Sequence, residues 1–94
     1  MAASHVLRIT ANPPYWFASQ LPVNGDKVLI LDTPCEAING KVFKLVNCQQ
    51  RTEGYGYLEW VNMCFQRPDN TVFWLFVDCV PRHPAHTCWV PRLH

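Results

Sequence analysis

A chain of 94 residues has material for one domain and one core. Hydrophobic residues make up 49% of it and charged residues 16%, against about 25% charged in an average globular protein, which excludes a disordered tail. Eight Lys and Arg oppose seven Asp and Glu for a formal charge of +1, which excludes the broad electrostatic footprint of a polybasic nucleic-acid or membrane-surface binder.

Apolar residues come in short bursts separated by Gly, Pro, Asn and Asp, and no long stretch carries the 3.6-residue period of an amphipathic helix. The bursts at 6 to 10, 27 to 32, 41 to 47, 57 to 66 and 71 to 80, with a short last run around 88 to 90, predict strands. They are dominated by Val, Ile, Thr, Phe, Tyr and Trp, which suit a pleated, half-buried surface. The Pro- and aromatic-rich segment 11–23 and the Pro- and His-rich tail 81–94 read as irregular. Asn24-Gly25 and Asn39-Gly40 supply the positive-φ residues of tight turns. Arg67-Pro68-Asp69-Asn70 has Pro where its fixed φ starts a turn, which makes 57 to 66 and 71 to 80 an antiparallel hairpin.

The run Val72 to Val77 is apolar at every position, the pattern of a central strand. Trp74 and Phe76 share one of its faces and Phe73 takes the other, and all three are expected in the core. In the partner strand, Leu58, Trp60 and Cys64 alternate onto one face, and Tyr57, Glu59, Val61, Met63 and Phe65 onto the other. A strand apolar on both sides needs cover on its second face, from a closed barrel, a helix or a partner subunit.

Gly25-Asp26-Lys27-Val28-Leu29-Ile30-Leu31 followed by Asn39-Gly40-Lys41-Val42-Phe43-Lys44-Leu45-Val46 resembles the opening hairpin of SH3-like small barrels, the KOW type in particular. The stretch Trp74 to Pro81 is similar to the end of such barrels, where a strand meets a short helical turn. The KOW pattern's intermediate Gly-x-x-x-Gly is missing, with Thr33-Pro34-Cys35-Glu36-Ala37-Ile38 in its place, so the nucleic-acid role of many KOW domains does not carry over. What the resemblance implies is fold. The expectation is a single all-β domain over 1–94, a small SH3-like barrel or a strongly bent antiparallel sheet of five to six strands.

Five cysteines, at 35, 48, 64, 79 and 88, are too few for a disulfide scaffold and odd in number. The first eight residues lack a signal peptide's charged and apolar regions, and the longest apolar run is too short to span a bilayer. A cytoplasmic protein with reduced, mostly buried thiols and no membrane association is expected. Cys79, His83, His86 and Cys88 gather four ligand types of tetrahedral zinc sites into one loop, though C-x3-H-x2-H-x-C is not a recurrent zinc spacing. A Cys/His nucleophile pair is the catalytic reading of the same residues. No nucleophile elbow, P-loop, H-E-x-x-H or G-x-G-x-x-G occurs, and the carboxylates sit mostly beside turns. No enzyme activity, metal or other cofactor is expected.

Tyr15, Trp16, Tyr55 and Tyr57 lie in or beside Pro- and Gly-rich loops, flanked by Arg51 and Arg67. Aromatic and Arg residues are enriched at interface hot spots, so these six are the candidate binding residues. The competing reading folds Trp16 and Phe17 back as a lid over the barrel's open end. The expected function is a non-catalytic interaction module, a small accessory or inhibitor protein that binds a protein partner through these loops, with a homodimer through apolar sheet faces as its companion. The alternatives are a nucleic-acid-binding KOW-like barrel and a small zinc protein using the 79–88 cluster. The eight basic residues are spread along the chain, and Lys41 and Lys44 alternate to opposite faces, which disfavours a single basic stripe.

Overall fold

Short β-branched and aromatic runs cannot satisfy their backbone groups alone, and pairing side by side in one sheet answers that need. The computed structural model describes residues 3–9, 16–54, 56–79 and 89–92, the last by backbone only. Its strands are β1 (His5–Arg8), β2 (Lys27–Leu31), β3 (Lys41–Thr52), β4 (Leu58–Gln66), β5 (Val72–Asp78) and β6 (Trp89–Arg92), with one 3-10 turn at Ala18–Gln20. They form a single six-stranded sheet in sequence order. The all-β expectation therefore holds, and every anticipated strand is present.

Two details depart from it. The sheet is open, with β1 and β6 at its ends, so the closed-barrel form is not adopted. The β1–β2 pair is parallel, in register from His5↔Val28 to Arg8↔Leu31, while the other four pairings are antiparallel. A parallel pair needs a crossover of a dozen or more residues, and the stretch between Arg8 and Lys27 provides it. Among the described residues, no helix is long and apolar enough to cross a membrane.

Turn chemistry fixes the register. Gly25 and Gly40 take φ of 96° and 75°, values that glycine reaches without the Cβ clash of other residues. Gly40 donates to the Ile30 carbonyl at 2.8 Å, closing the link between β2 and β3. In the β4–β5 turn, Asn70 N–H reaches the Arg67 carbonyl at 3.0 Å, and Asn70 sits at φ 68°. Asp69 Oδ1 accepts from the Thr71 backbone at 3.0 Å and its hydroxyl at 2.6 Å. The hydroxyl contact foremost, then the backbone one, holds the Asp69 carboxyl below its ordinary range. A type I-like turn followed by a left-handed residue is a common hairpin joint, and Asn is among the few side chains that tolerate it.

Bulges then decide which side chains face inward. Strand β3 runs on past the expected end at 47 to Thr52, because Cys48 to Arg51 find partners from Met63 to Trp60 on β4. Register shifts fall between Leu45 and Asn47 and between Arg51 and Thr52. The second leaves Glu59 as the extra residue on β4, so parity breaks there and Leu58 joins Val61, Met63 and Phe65 on the core face. This corrects the assignment of Leu58 to the face of Trp60.

On β5, burial alternates strictly: Phe73, Leu75 and Val77 are buried, and Val72, Trp74, Phe76 and Asp78 are half-buried. Trp74 and Phe76 thus lie on the solvent face, a correction to their expected place in the core. The core itself is one cluster on the other side, with Val28, Ile30, Leu45, Leu58, Val61, Met63, Phe65, Phe73 and Leu75 all at 0% exposure. Phe43, Phe65 and Phe73 form its aromatic centre, Phe43 and Phe73 meeting edge to face at 4.9 Å.

Candidate functional site

At the turn end of the β3–β4 hairpin, Glu53 donates to the Tyr57 carbonyl at 2.8 Å and Gly56 donates to Glu53 at 2.9 Å. Residues 16 and 17 dock beside this end as a fragment of added strand. Leu58 N–H donates to the Trp16 carbonyl at 2.6 Å, and Phe17 bridges Tyr57. The Gln20 side-chain carbonyl takes the Phe17 N–H at 2.6 Å, which fixes the backbone where the 3-10 turn begins. Neighbours in an extended chain point to opposite sides, so Trp16 is buried at 9% exposure while Phe17 stands 45% exposed. Arg51 Nε meets Glu59 Oε2 at 3.0 Å with its side chain 68% exposed, a solvated ion pair that holds the guanidinium at the surface.

This arrangement sorts the six candidate binding residues. Arg51 and half-buried Tyr57 come together at the hairpin end. Trp16 belongs to the core cluster, which corrects its place in an exposed patch; it is buried as the lid reading expected, but Phe17, its partner in that lid, is exposed. Arg67 lies at the opposite end of β4, about 30 Å away at roughly 3.3 Å per strand residue. There its guanidinium sits 4.7 Å from the centre of the Phe73 ring and donates to Thr71 Oγ1 at 3.2 Å, so it braces the β4–β5 turn and shares no patch with Arg51. Tyr15 and Tyr55 lie outside the described residues.

Of the Cys/His cluster, His83, His86 and Cys88 also lie outside the described residues. Cys79 is buried where β5 ends, with its N–H on the Glu59 carbonyl at 3.0 Å. Burial first, and the charge of Asp78 second, push its thiol up to about 12. Burial also pushes the Cys48 and Cys64 thiols up. These sulfurs stay protonated at neutral pH, where the thiolate is the nucleophile and the metal ligand. Among the described residues, no group of three or more His, Cys, Asp or Glu gathers as a metal site.

The chain matches no family model, no curated protein and no solved structure.

A second surface escaped the sequence reading. On the solvent face of the sheet, Trp60 and Phe76 stack at 5.9 Å with their planes 28° apart, and Trp74 lies on the same face of β5. Lys27 and Lys44 are direct cross-strand partners on that face and make no ion pair among the described residues. Asn62 lies between Trp60 and Cys64 on this side of β4, and its buried Oδ1 has no partner among the described residues. The signal was present: once β4 bulges, the parity of Val61, Met63 and Phe65 assigns Trp74 and Phe76 to the opposite face.

Proposed function

We propose that the chain is a non-catalytic interaction module that binds a protein partner through the end of the β3–β4 hairpin, with Phe17, Tyr57 and Arg51 as its contacts. The observation that carries this reading is Phe17, 45% exposed on a backbone that is already fixed by the Tyr57 bridge and the Gln20 hydrogen bond. A large apolar side chain held in place loses little conformational freedom on binding, so more of its burial appears as affinity. Arg51, exposed on β3 at the same end of the hairpin with β4 between it and Phe17, adds the arginine of an aromatic-plus-arginine hot spot. A cytoplasmic setting suits the free thiols of Cys35, Cys48, Cys64 and Cys79.

The test is affinity capture with the immobilised full chain, run in parallel with Phe17→Ser and Arg51→Ala. Both side chains are exposed, so both variants keep the wild-type melting curve. A polypeptide retained by the wild type and bound about thirtyfold or more weaker by Phe17→Ser supports the reading, at the about 2 kcal/mol or more of a hot spot. A set of captured proteins that neither substitution changes would refute it.

A further inference from the structure

We infer that the solvent face of β2–β5 is a second binding site, for single-stranded nucleic acid, with bases stacking on Trp74 and on the Trp60–Phe76 pair and phosphates meeting Lys27 and Lys44. Three observations converge on this face. The first is the aromatic row. Trp60, Trp74 and Phe76 lie half-buried on two adjacent strands, and Trp74 and Phe76 are two residues apart, about 7 Å along the strand. Rings laid on a sheet at that spacing form a stacking platform that accepts any base, because every base has a π-face.

The second is charge. Like charges placed directly opposite on a sheet destabilise it, yet Lys27 faces Lys44 and neither makes an ion pair among the described residues. Lys44 and Trp74 lie on strands separated only by β4, about 10 Å at two strand spacings. Of the acids near this end, Asp26 accepts from the Val23 N–H and Asp69 from Thr71, and neither pairs with Lys27 or Lys44; Glu59 and Asp78 lie at the other end of β4 and β5. A phosphate backbone passing over β2 and β3 thus meets two free ammonium groups while its bases lie over β4 and β5. The third is hydrogen bonding. Asn62 lies on this face directly opposite Phe76, and its Oδ1, buried in the unbound protein, has no partner among the described residues.

The same observations weigh against the other occupants. Lysine is depleted in the cores of protein interfaces, whereas this face carries an adjacent pair. A duplex hides its π-faces from the aromatic row, and a chain of formal charge +1 lacks the many phosphate contacts that duplex affinity rests on.

The experiment is fluorescence anisotropy of labelled oligo-dT and oligo-U of about 12 nucleotides, within the roughly 4–16 nucleotides that a small single-strand-binding domain covers, titrated with the full chain. The DNA and RNA arms distinguish the two sources of this chemistry. Affinity is expected to fall with salt, and Lys27→Gln/Lys44→Gln is expected to flatten the log–log slope by about 1.4, at about 0.7 per cation for a single strand. Trp74→Ala is expected to lower affinity by about 5- to 150-fold. The lysine variant changes only surface charge, so the test survives even if Trp74→Ala folds poorly. No binding at about 50 mM salt would overturn the proposal. So would binding indifferent to both variants, equal affinity for a duplex of the same length, or a dimer or bound polypeptide held through Trp74, which would assign the face to protein. Phe17→Ser should bind the oligonucleotide as the wild type does, so this site and the hairpin-end site stand or fall separately.

Discussion

Replacing Phe73 by Leu removes a ring while keeping an apolar side chain in the core. Phe73 is fully buried, meets Phe43 edge to face at 4.9 Å and Phe65 at 5.6 Å, and carries the Arg67 guanidinium 4.7 Å above its centre. Each aromatic pair contributes about 0.5–1.5 kcal/mol beyond area burial, and a partly exposed cation–π contact about 0.5–1 kcal/mol. Leucine fills part of the space, so the expected loss is about 2–3 kcal/mol. A chain of this length is stabilised by roughly 5–14 kcal/mol, so the variant still folds. At about 4–8 °C per kcal/mol, its Tm falls by roughly 8–24 °C. Urea unfolding followed by circular dichroism measures this. A double-mutant cycle with Arg67→Met isolates the cation–π contact, with an expected coupling of about 0.5–1 kcal/mol. A loss below about 0.5 kcal/mol, the level of a surface substitution, would refute the packing of Phe73 in the aromatic centre, and zero coupling would refute the placement of Arg67 over it.

Two further outcomes follow from single positions. The folded protein keeps the Cys79 proton up to about pH 12, whereas the unfolded chain loses it near the ordinary thiol value of 9.0. Above about pH 9 the unfolded state therefore binds fewer protons, and stability falls as pH rises toward 12, by up to about 1.4 kcal/mol per pH unit from this group. Urea titrations at pH 7, 9 and 10 should show a shallower loss in Cys79→Ala than in the wild type, and identical slopes would contradict the buried thiol. Asn70 occupies the left-handed region at φ 68°. Asn70→Val should then cost about 1–2 kcal/mol and Asn70→Gly nothing or less, read by thermal melts; equal effects would contradict the turn conformation.

The strands and turns were legible because each rests on local chemistry: short β-prone runs, Asn-Gly pairs, and Pro68 before Asn70. What stayed hidden depends on partners distant in sequence. The parity of Leu58 turns on a bulge at Glu59, which exists only because Arg51 and Thr52 pair across it. The inward turn of Trp16 depends on its carbonyl docking on Leu58. The parallel pairing of β1 depends on a crossover whose course no local signal specifies. Arg51 and Arg67 looked alike as flanks of an aromatic loop, but Arg51 pairs with Trp60 and Arg67 lies beyond the other end of that strand, at Gln66. The solvent-face aromatics were visible as residues and not as a surface, because a strand apolar at every position does not declare which side is covered.

The aromatics divide into a core set and a surface set across one sheet. Hydroxyl-radical footprinting of the full chain, read residue by residue by mass spectrometry, tests this division most directly. Phe65 and Phe73, at 0% exposure, should be protected, Phe17 should label fastest of the phenylalanines described, and half-buried Trp60 and Trp74 should label ahead of Trp16. Labelling of Trp16 as fast as Trp74, or of Phe73 as fast as Phe17, would contradict the division and remove the basis of both binding surfaces.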